Sequence, residues 1–143
     1  MNLQPITDVQ ELLKLIPQRP PIVLVHQLLE YDASSLTSGF TVPGEHLFVK
    51  DGILQEGGLT EHMAQSVALH TGYSFYIKGE TAPTGYIGAI NKLEILQLPA
   101  SGTLIMSKIE ILQEFAGVTL VNITVSQADR VIATGQMKTI VAT

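Results

Sequence analysis

An α+β fold, in which one long antiparallel sheet curls around a single central helix, is predicted by three features of this sequence. Glu56 to Lys78 is the longest stretch that reads as helix, and it carries apolar or small residues over most of its circumference, the pattern of an enclosed helix. Everything after Gly79 reads as strand, in runs of about ten residues separated by short turns. The 143 residues amount to about one domain, 1–143, with no repeat, low-complexity tract or linker to divide it. Helix and sheet therefore have each other to bury against.

Composition narrows the function classes. The chain is 45% hydrophobic and 15% charged, too apolar for a disordered segment. Its 8 Lys+Arg stand against 13 Asp+Glu, and the net charge of -5 argues against nucleic-acid binding, which needs clustered cations. With no cysteine there is no disulfide framework and no thiolate zinc site. No window approaches the ~18 uninterrupted apolar residues of a membrane span. Met1 to Pro5 lacks the basic start and apolar core of a secretion signal, so a cytoplasmic location is the expectation.

The first element reads as a short helix. Thr7 and Gln10 fit a capping box, Val9, Leu12, Leu13 and Ile16 line one helical face, and Pro17 stops it. Pro20-Pro21 forces an extended exit. The apolar, β-branched run Ile22 to Leu29 reads as a strand, with a hairpin partner around Leu36 to Val42. Residues 43–56 carry Pro43, Gly44 and Gly52 without a clean period, and an irregular stretch of that length is often functional.

On the central helix, Leu59, Met63 and Val67 mark one stripe and Ala64, Ala68 and Gly72 a second, small one. Gly72 costs about 1 kcal/mol against alanine in a helix interior, which points to close packing there. Gly79 is a natural stop. Gly85 to Leu98, Thr103 to Phe115, Val118 to Ser126 and Val131 to Val141 follow as strands, read as one antiparallel meander. In the third of them Val121, Ile123 and Val125 alternate with Asn122, Thr124 and Ser126. A sheet of this size must bury one face, and the central helix is the element large enough to fill it. This is the hot-dog arrangement.

Several motifs then show a resemblance. Leu15-Ile16-Pro17-Gln18-Arg19-Pro20-Pro21, followed by Ile22-Val23-Leu24-Val25, resembles the opening of the bacterial 3-hydroxyacyl-ACP dehydratases. Glu61-His62-Met63-Ala64-Gln65 resembles that family's Glu-x-x-Ala-Gln signature. Gly88-Ala89-Ile90-Asn91-Lys92 is similar to the start of its first long strand, and Leu98-Pro99-Ala100-Ser101-Gly102 to the turn after it. Leu47-Phe48-Val49-x-Asp51-Gly52 is closer to a divergent, dehydratase-like branch that includes proteins of polyketide-type pigment clusters. The family's His-Phe-Pro-Gly loop is here His46-Leu47-Phe48-Val49, and its Asp-Arg pair is here His26-Gln27. The resemblance implies a hot-dog homodimer acting on acyl thioesters, on acyl carrier protein or coenzyme A, with no metal or organic cofactor.

Removing water from a 3-hydroxyacyl thioester to give the trans-2-enoyl product needs a base, an acid and a group to hold charge on the thioester oxygen. The resemblance makes His46 the base and Glu61 the acid, one from each protomer. An imidazole titrates near operating pH, and a carboxyl group at the mouth of an apolar tunnel is desolvated. Gly57 and Gly58 at the helix start offer backbone N–H groups to a carbonyl oxygen, Gln65 sits one turn beyond Glu61, and Leu59 and Met63 are expected to line the acyl tunnel. Structural alternatives stand beside each role. Glu61 can be a carboxylate favoured at a helix start, Gly57-Gly58 a loop-to-helix joint, and Gln65 a structural hydrogen-bonding group. His46 reads equally as a packed loop histidine, His26 as a hydrogen-bonded core group, and His62 and His70 as packing or surface residues.

Tyr86 to Glu94 is the strand expected to pair with its mate across a two-fold axis. Arg19, Lys50 or Lys92 would meet an acidic carrier protein. Two rival functions remain: a hot-dog thioesterase using Glu61 to activate water, and a silent acyl-binding or partner subunit of a mixed dimer with an active dehydratase. A zinc site finds no support, because His62 and His70 lie eight apart rather than at i, i+4. A nucleophilic serine finds none either, as no Gly-x-Ser-x-Gly elbow is present.

Overall fold

The computed structural model describes residues 5–141, and the sequence reading of Met1 to Gln4 falls outside them. The first helix, α1, covers Val9–Leu12 and tightens into a 3₁₀ turn over Leu13–Leu15. Its cap is Asp8 rather than Thr7: the Asp8 carboxylate accepts the Gln10 N–H at 2.9 Å. The helix begins directly after Asp8, so Thr7 lies one residue too early to reach a free N–H.

The first strand is shifted from the sequence expectation. β1 spans Gln27–Asp32 and pairs antiparallel with β2, Ser35–Thr41. The run before it is buried as its composition requires, with Leu24 and Val25 wholly inaccessible, yet it joins no ladder. Side chains take several of its peptide groups instead, while Ile22 N–H goes to Arg19 O and His26 N–H to Gly39 O. Gln65 accepts the Leu24 N–H at 2.7 Å and donates to Ile22 O at 3.0 Å. His62 bonds Leu24 O, and His46 bonds Val23 O. A buried backbone needs partners but not necessarily another strand.

The irregular segment after β2 contains a small hairpin, β3 (Val49–Lys50) with β4 (Ile53–Leu54), turned through Asp51 and Gly52, both at positive φ. The central helix, α2, runs Glu56–Tyr76 and ends near the expected position, with Gly79 at φ 72°. Four strands follow: β5 (Gly85–Ile95), β6 (Leu104–Phe115), β7 (Val118–Gln127) and β8 (Arg130–Val141).

The main sheet has the order β1-β2-β6-β7-β8-β5, antiparallel throughout. β6, β7 and β8 form the expected meander, but β5 lies beside β8 and not beside β6. The segment between β5 and β6 is no hairpin turn because its peptide groups bond elsewhere. Leu96 N–H donates to Ile132 O at 2.8 Å, Leu54 N–H to Pro99 O at 2.9 Å, and Ser101 N–H to Gly52 O at 2.8 Å. The connection is thereby tied to the β3–β4 hairpin while it crosses from one part of the sheet to the other.

Leu59, Met63, Leu69 and Tyr73 of α2 bury against Ile105, Ile109, Val121, Ile123, Val125 and Met137 of the sheet. The small residue at 72 has the predicted role. A Cβ there would overlap the Leu15 carbonyl oxygen, so glycine lets the 3₁₀ turn rest directly on the helix. The resulting hot-dog fold, an α+β sheet around a central helix, leaves β5 conspicuously uncovered. Tyr86, Ile87, Ile90 and Leu93 are all exposed, and among the described residues no strand pairs with its second edge.

Candidate active site

The two faces of α2 meet different surroundings, one packed and one open. Residues 59, 62, 63, 66, 69, 70 and 73 are buried toward the sheet and the neighbouring segments. Gly57, Thr60, Glu61 and Ala64 border an open groove closed on its far side by β5 through Ile87 and Ile90. From Glu61 a narrower cavity of about 210 Å³ continues along Ala64, Ala68 and Gly72 toward Pro83 and Tyr86. Glu61 sits at the rim shared by both spaces. Helical spacing explains the division, since positions 57, 61, 64, 68 and 72 fall on one side of a 3.6-residue turn.

The expected tunnel residues Leu59 and Met63 therefore lie elsewhere. Both are fully inaccessible in the core and neither borders these cavities. The Met63 methyl packs toward Gly135, 3.3 Å from where a Cβ would stand. The small stripe Ala64–Ala68–Gly72 forms the wall that they were expected to form, because short side chains leave room along that side of the helix.

Gln65 fixes the carboxyl group. Its Oε1 must accept the Leu24 N–H, which orients the amide and leaves Nε2 two protons to donate. One goes to Ile22 O and the other to Glu61 Oε2, at 3.1 Å. Oε2 is thereby held as an acceptor, and any proton carried by the group resides on Oε1, which has no hydrogen-bond partner among the described residues.

The start of α2 supplies the second element of the site. Gln55 is its N-cap but makes no side-chain capping bond, and the first intrahelical donor is Leu59 N–H, to Gln55 O. The N–H groups of Glu56, Gly57 and Gly58 thus lack intrahelical partners, and such groups carry partial positive charge. Gly57 is exposed on the groove. Gly58 is buried and has a packing reason for its size: a Cβ there would stand 2.5 Å from Phe48 Cβ and 2.7 Å from Leu54 Cδ1. Glycine at 58 lets the loop bearing His46 lie against the helix end.

His46 is half-buried and stacked on Phe48, with ring centroids 5.9 Å apart. Its Nδ1 accepts the Phe48 N–H at 3.1 Å. In a neutral imidazole the proton is then on Nε2, which donates to Val23 O at 3.2 Å. Gln65 meets Ile22 O and Leu24 N as an adjacent strand would, and in that extended pattern the Val23 carbonyl points the other way. Within one protomer, His46 and Gln65 hold opposite edges of the same short segment, and Glu61 is bonded to Gln65.

The other histidines are structural in their contacts. His62 is completely buried: Nδ1–H donates to Leu24 O at 2.6 Å, and Nε2 accepts the Ser107 hydroxyl at 2.7 Å. Burial lowers its pKa to about 4, outweighing the raising effect of the Leu24 bond, and the nearby His26 lowers it further. Ser66 donates to His62 O at 2.9 Å and accepts from Ser38 at 2.7 Å, which completes the polar network inside the core. His26 is half-buried, accepts the Thr41 N–H at 3.3 Å and leans on Phe40; burial, and secondarily His46, lowers its pKa. His70 bonds Asp32 O at 3.1 Å and stacks on Tyr31. Burial lowers its pKa as well. In the sequence His62 reads as a packing or surface residue; its i+3 relation to Gln65 is the signal that the two reach one segment together. Arg19 turns back onto Ile16 O and Gln18 O at 2.8 Å each, while Lys50 and Lys92 are exposed.

The ApeP-like family, described as ApeP dehydratase, matches residues 10–143. No curated protein matches the chain. Among solved structures, the dehydratase heterocomplex ApeI:P from Xenorhabdus doucetiae superposes with a TM-score of 0.85 at 17% identity, covering 92% of this chain and 91% of that one. The PaaI protein of the E. coli phenylacetic acid degradation operon gives 0.64 at 11%, covering 79% and 80%. A hypothetical thioesterase with coenzyme A from Streptococcus pneumoniae gives 0.66 at 10%, covering 80% and 84%. These likenesses describe the fold.

Proposed function

From the premise that the chain belongs to the ApeP-like dehydratase family, we propose that it dehydrates 3-hydroxyacyl thioesters, with Glu61 protonating the departing hydroxyl. The observation that carries this reading is the placement of Glu61: one oxygen held by Gln65, the other without a partner among the described residues, at the rim of an apolar cavity and within one turn of uncapped helix N–H groups. The acyl chain extends along Ala64, Ala68 and Gly72. The thioester carbonyl turns toward Gly57, where N–H groups stabilise developing negative charge. Removing one such donor costs about 2.7–4 kcal/mol of barrier in enzymes where this has been tested.

The α-proton goes to His46 of a second subunit, since within one protomer His46 lies on the edge of the Ile22–Leu24 segment away from Glu61. The uncovered β5 strand supports association through that edge, with Ile87, Ile90 and Leu93 brought out of water. For His46 to act as a base, its imidazole has to exchange the Phe48 and Val23 bonds for contacts with substrate. The acyl group is carried on acyl carrier protein or coenzyme A; the Streptococcus pneumoniae structure with coenzyme A supports a thioester ligand for this fold.

A second reading is favoured by one observation: both His46 ring nitrogens are already engaged by this chain's own backbone. In that reading the chain is a partner subunit whose turnover needs another dehydratase, a reading supported by its likeness to the dehydratase heterocomplex ApeI:P.

Purified protein given 3-hydroxyacyl thioesters should yield the enoyl chromophore without free thiol. Thiol release would make it a thioesterase, and no reaction alone but reaction on adding a partner dehydratase would favour the second reading. Glu61→Gln should keep the fold and lose turnover at least about 10²-fold, the scale of a positioned general acid. Unchanged turnover removes Glu61 from the mechanism.

A further inference from the structure

Leu24 is gripped twice by α2. Gln65 Oε1 takes its N–H at 2.7 Å, and His62 Nδ1–H binds its carbonyl oxygen at 2.6 Å. Gln65 in turn holds Glu61 Oε2 at 3.1 Å. All three side chains come from adjacent turns of one helix, and Leu24, which Gln65 and His62 share, belongs to a segment outside any strand ladder. Nothing else in the described residues bonds the Leu24 peptide groups, so their position depends on these two side chains. If the His62 bond is lost, Leu24 is held by Gln65 alone and its peptide can turn away from that one bond. Gln65 then loses the N–H that dictates its amide orientation, and Glu61 loses the donor that selects which oxygen carries the proton.

We infer that His62 is a positioning residue for Glu61, acting through Leu24 and Gln65, and that Nδ1 is the nitrogen responsible. Nε2 only anchors the ring, through Ser107 at 2.7 Å. The ring is completely buried and borders neither the groove nor the cavity, so it touches no substrate. The inference rests on the proposed role of Glu61.

The two nitrogens can be separated by amide substitutions. Asparagine places its amide near the position of Nδ1, and glutamine near that of Nε2. His62→Asn therefore keeps a donor for Leu24 O, whereas His62→Gln keeps contact with Ser107 and abandons Leu24. With 3-hydroxyacyl thioester as substrate, His62→Asn should retain kcat within about threefold. His62→Gln should lose about 10²-fold in kcat, the cost of a small misplacement of a reacting group, with KM little changed. A role in polarity or packing alone would lower both variants alike.

Equal kcat in the two variants, high or low, overturns the assignment, as does a loss confined to KM. Should His62→Gln fail to fold, as judged by circular dichroism, Ser107→Ala takes its place. That variant releases Nε2 while leaving the Leu24 clamp, and it must keep kcat within about threefold; a large loss there moves the effect to Ser107 and refutes the inference. Glu61→Gln is assayed alongside. Full activity in that variant makes the failure one of the proposed function, whereas its inactivity with an indifferent His62 makes it a failure of the positioning role.

Discussion

Acidification should destabilise this protein through His62 by an amount the structure allows to be worked out. The ring is completely buried, and its pKa falls from the ordinary 6.5 to about 4, with burial the dominant cause. In the unfolded chain the imidazole regains its ordinary value, so between these limits the unfolded state binds more protons. Stability therefore falls as pH drops from 6.5, by up to about 1.4 kcal/mol per pH unit, and levels off below about 4. Across the window the loss approaches about 3 kcal/mol, a large share of the ~5–15 kcal/mol typical of a domain. The assay is urea unfolding at fixed protein concentration from pH 7 to pH 4, comparing wild type with His62→Asn, whose side chain does not titrate. His26 and His70, whose pKa values burial also lowers, are present in both proteins, so the difference between the two curves isolates position 62. The wild type should lose about 3 kcal/mol more than the variant as pH falls. Parallel curves would refute the claim that a neutral imidazole is locked between Leu24 and Ser107.

Three further outcomes are expected. Gly72→Ala should destabilise the fold by about 1–3 kcal/mol or more, since the new methyl group must displace the Leu15 carbonyl; a thermal melt unchanged from wild type would contradict that packing. Ile90→Asp should weaken self-association or hetero-association through β5, read by native mass spectrometry, because it places a charge in the apolar strip left exposed there. His46→Ala should abolish turnover and also lower stability by about 1–3 kcal/mol, as it removes the bonds to Val23 O and Phe48 N, each worth about 0.5–1.5 kcal/mol; an unaltered unfolding midpoint would show those bonds to be negligible.

The extent of α2 was legible because its evidence is local: a long run with apolar and small groups on most sides, closed by Gly79. Gly72 could even be assigned to close packing, since glycine costs a helix stability unless something needs the space. β6, β7 and β8 were legible for the same reason, their alternation and short turns being properties of neighbouring residues. Position 61 could be singled out through its place in a recognisable motif, and its bond to Gln65 follows from the four-residue spacing between them.

What tertiary structure decided involves partners far apart in sequence. Ile22 to His26 has the composition of a strand, but Ile22 O, Val23 O and both Leu24 peptide groups are met by Gln65, His46 and His62, which no local pattern could announce. The strand neighbouring β5 is β8 because the intervening segment spends its hydrogen bonds on Ile132 and on the β3–β4 hairpin. Leu59 and Met63 face the sheet while Ala64 and Ala68 face the cavity, a distinction set by which side of α2 the sheet covers. Hydrophobic periodicity determines that a residue is buried and in what kind of element. Which buried polar group satisfies which backbone depends on three-dimensional proximity, and here that proximity builds the surroundings of Glu61.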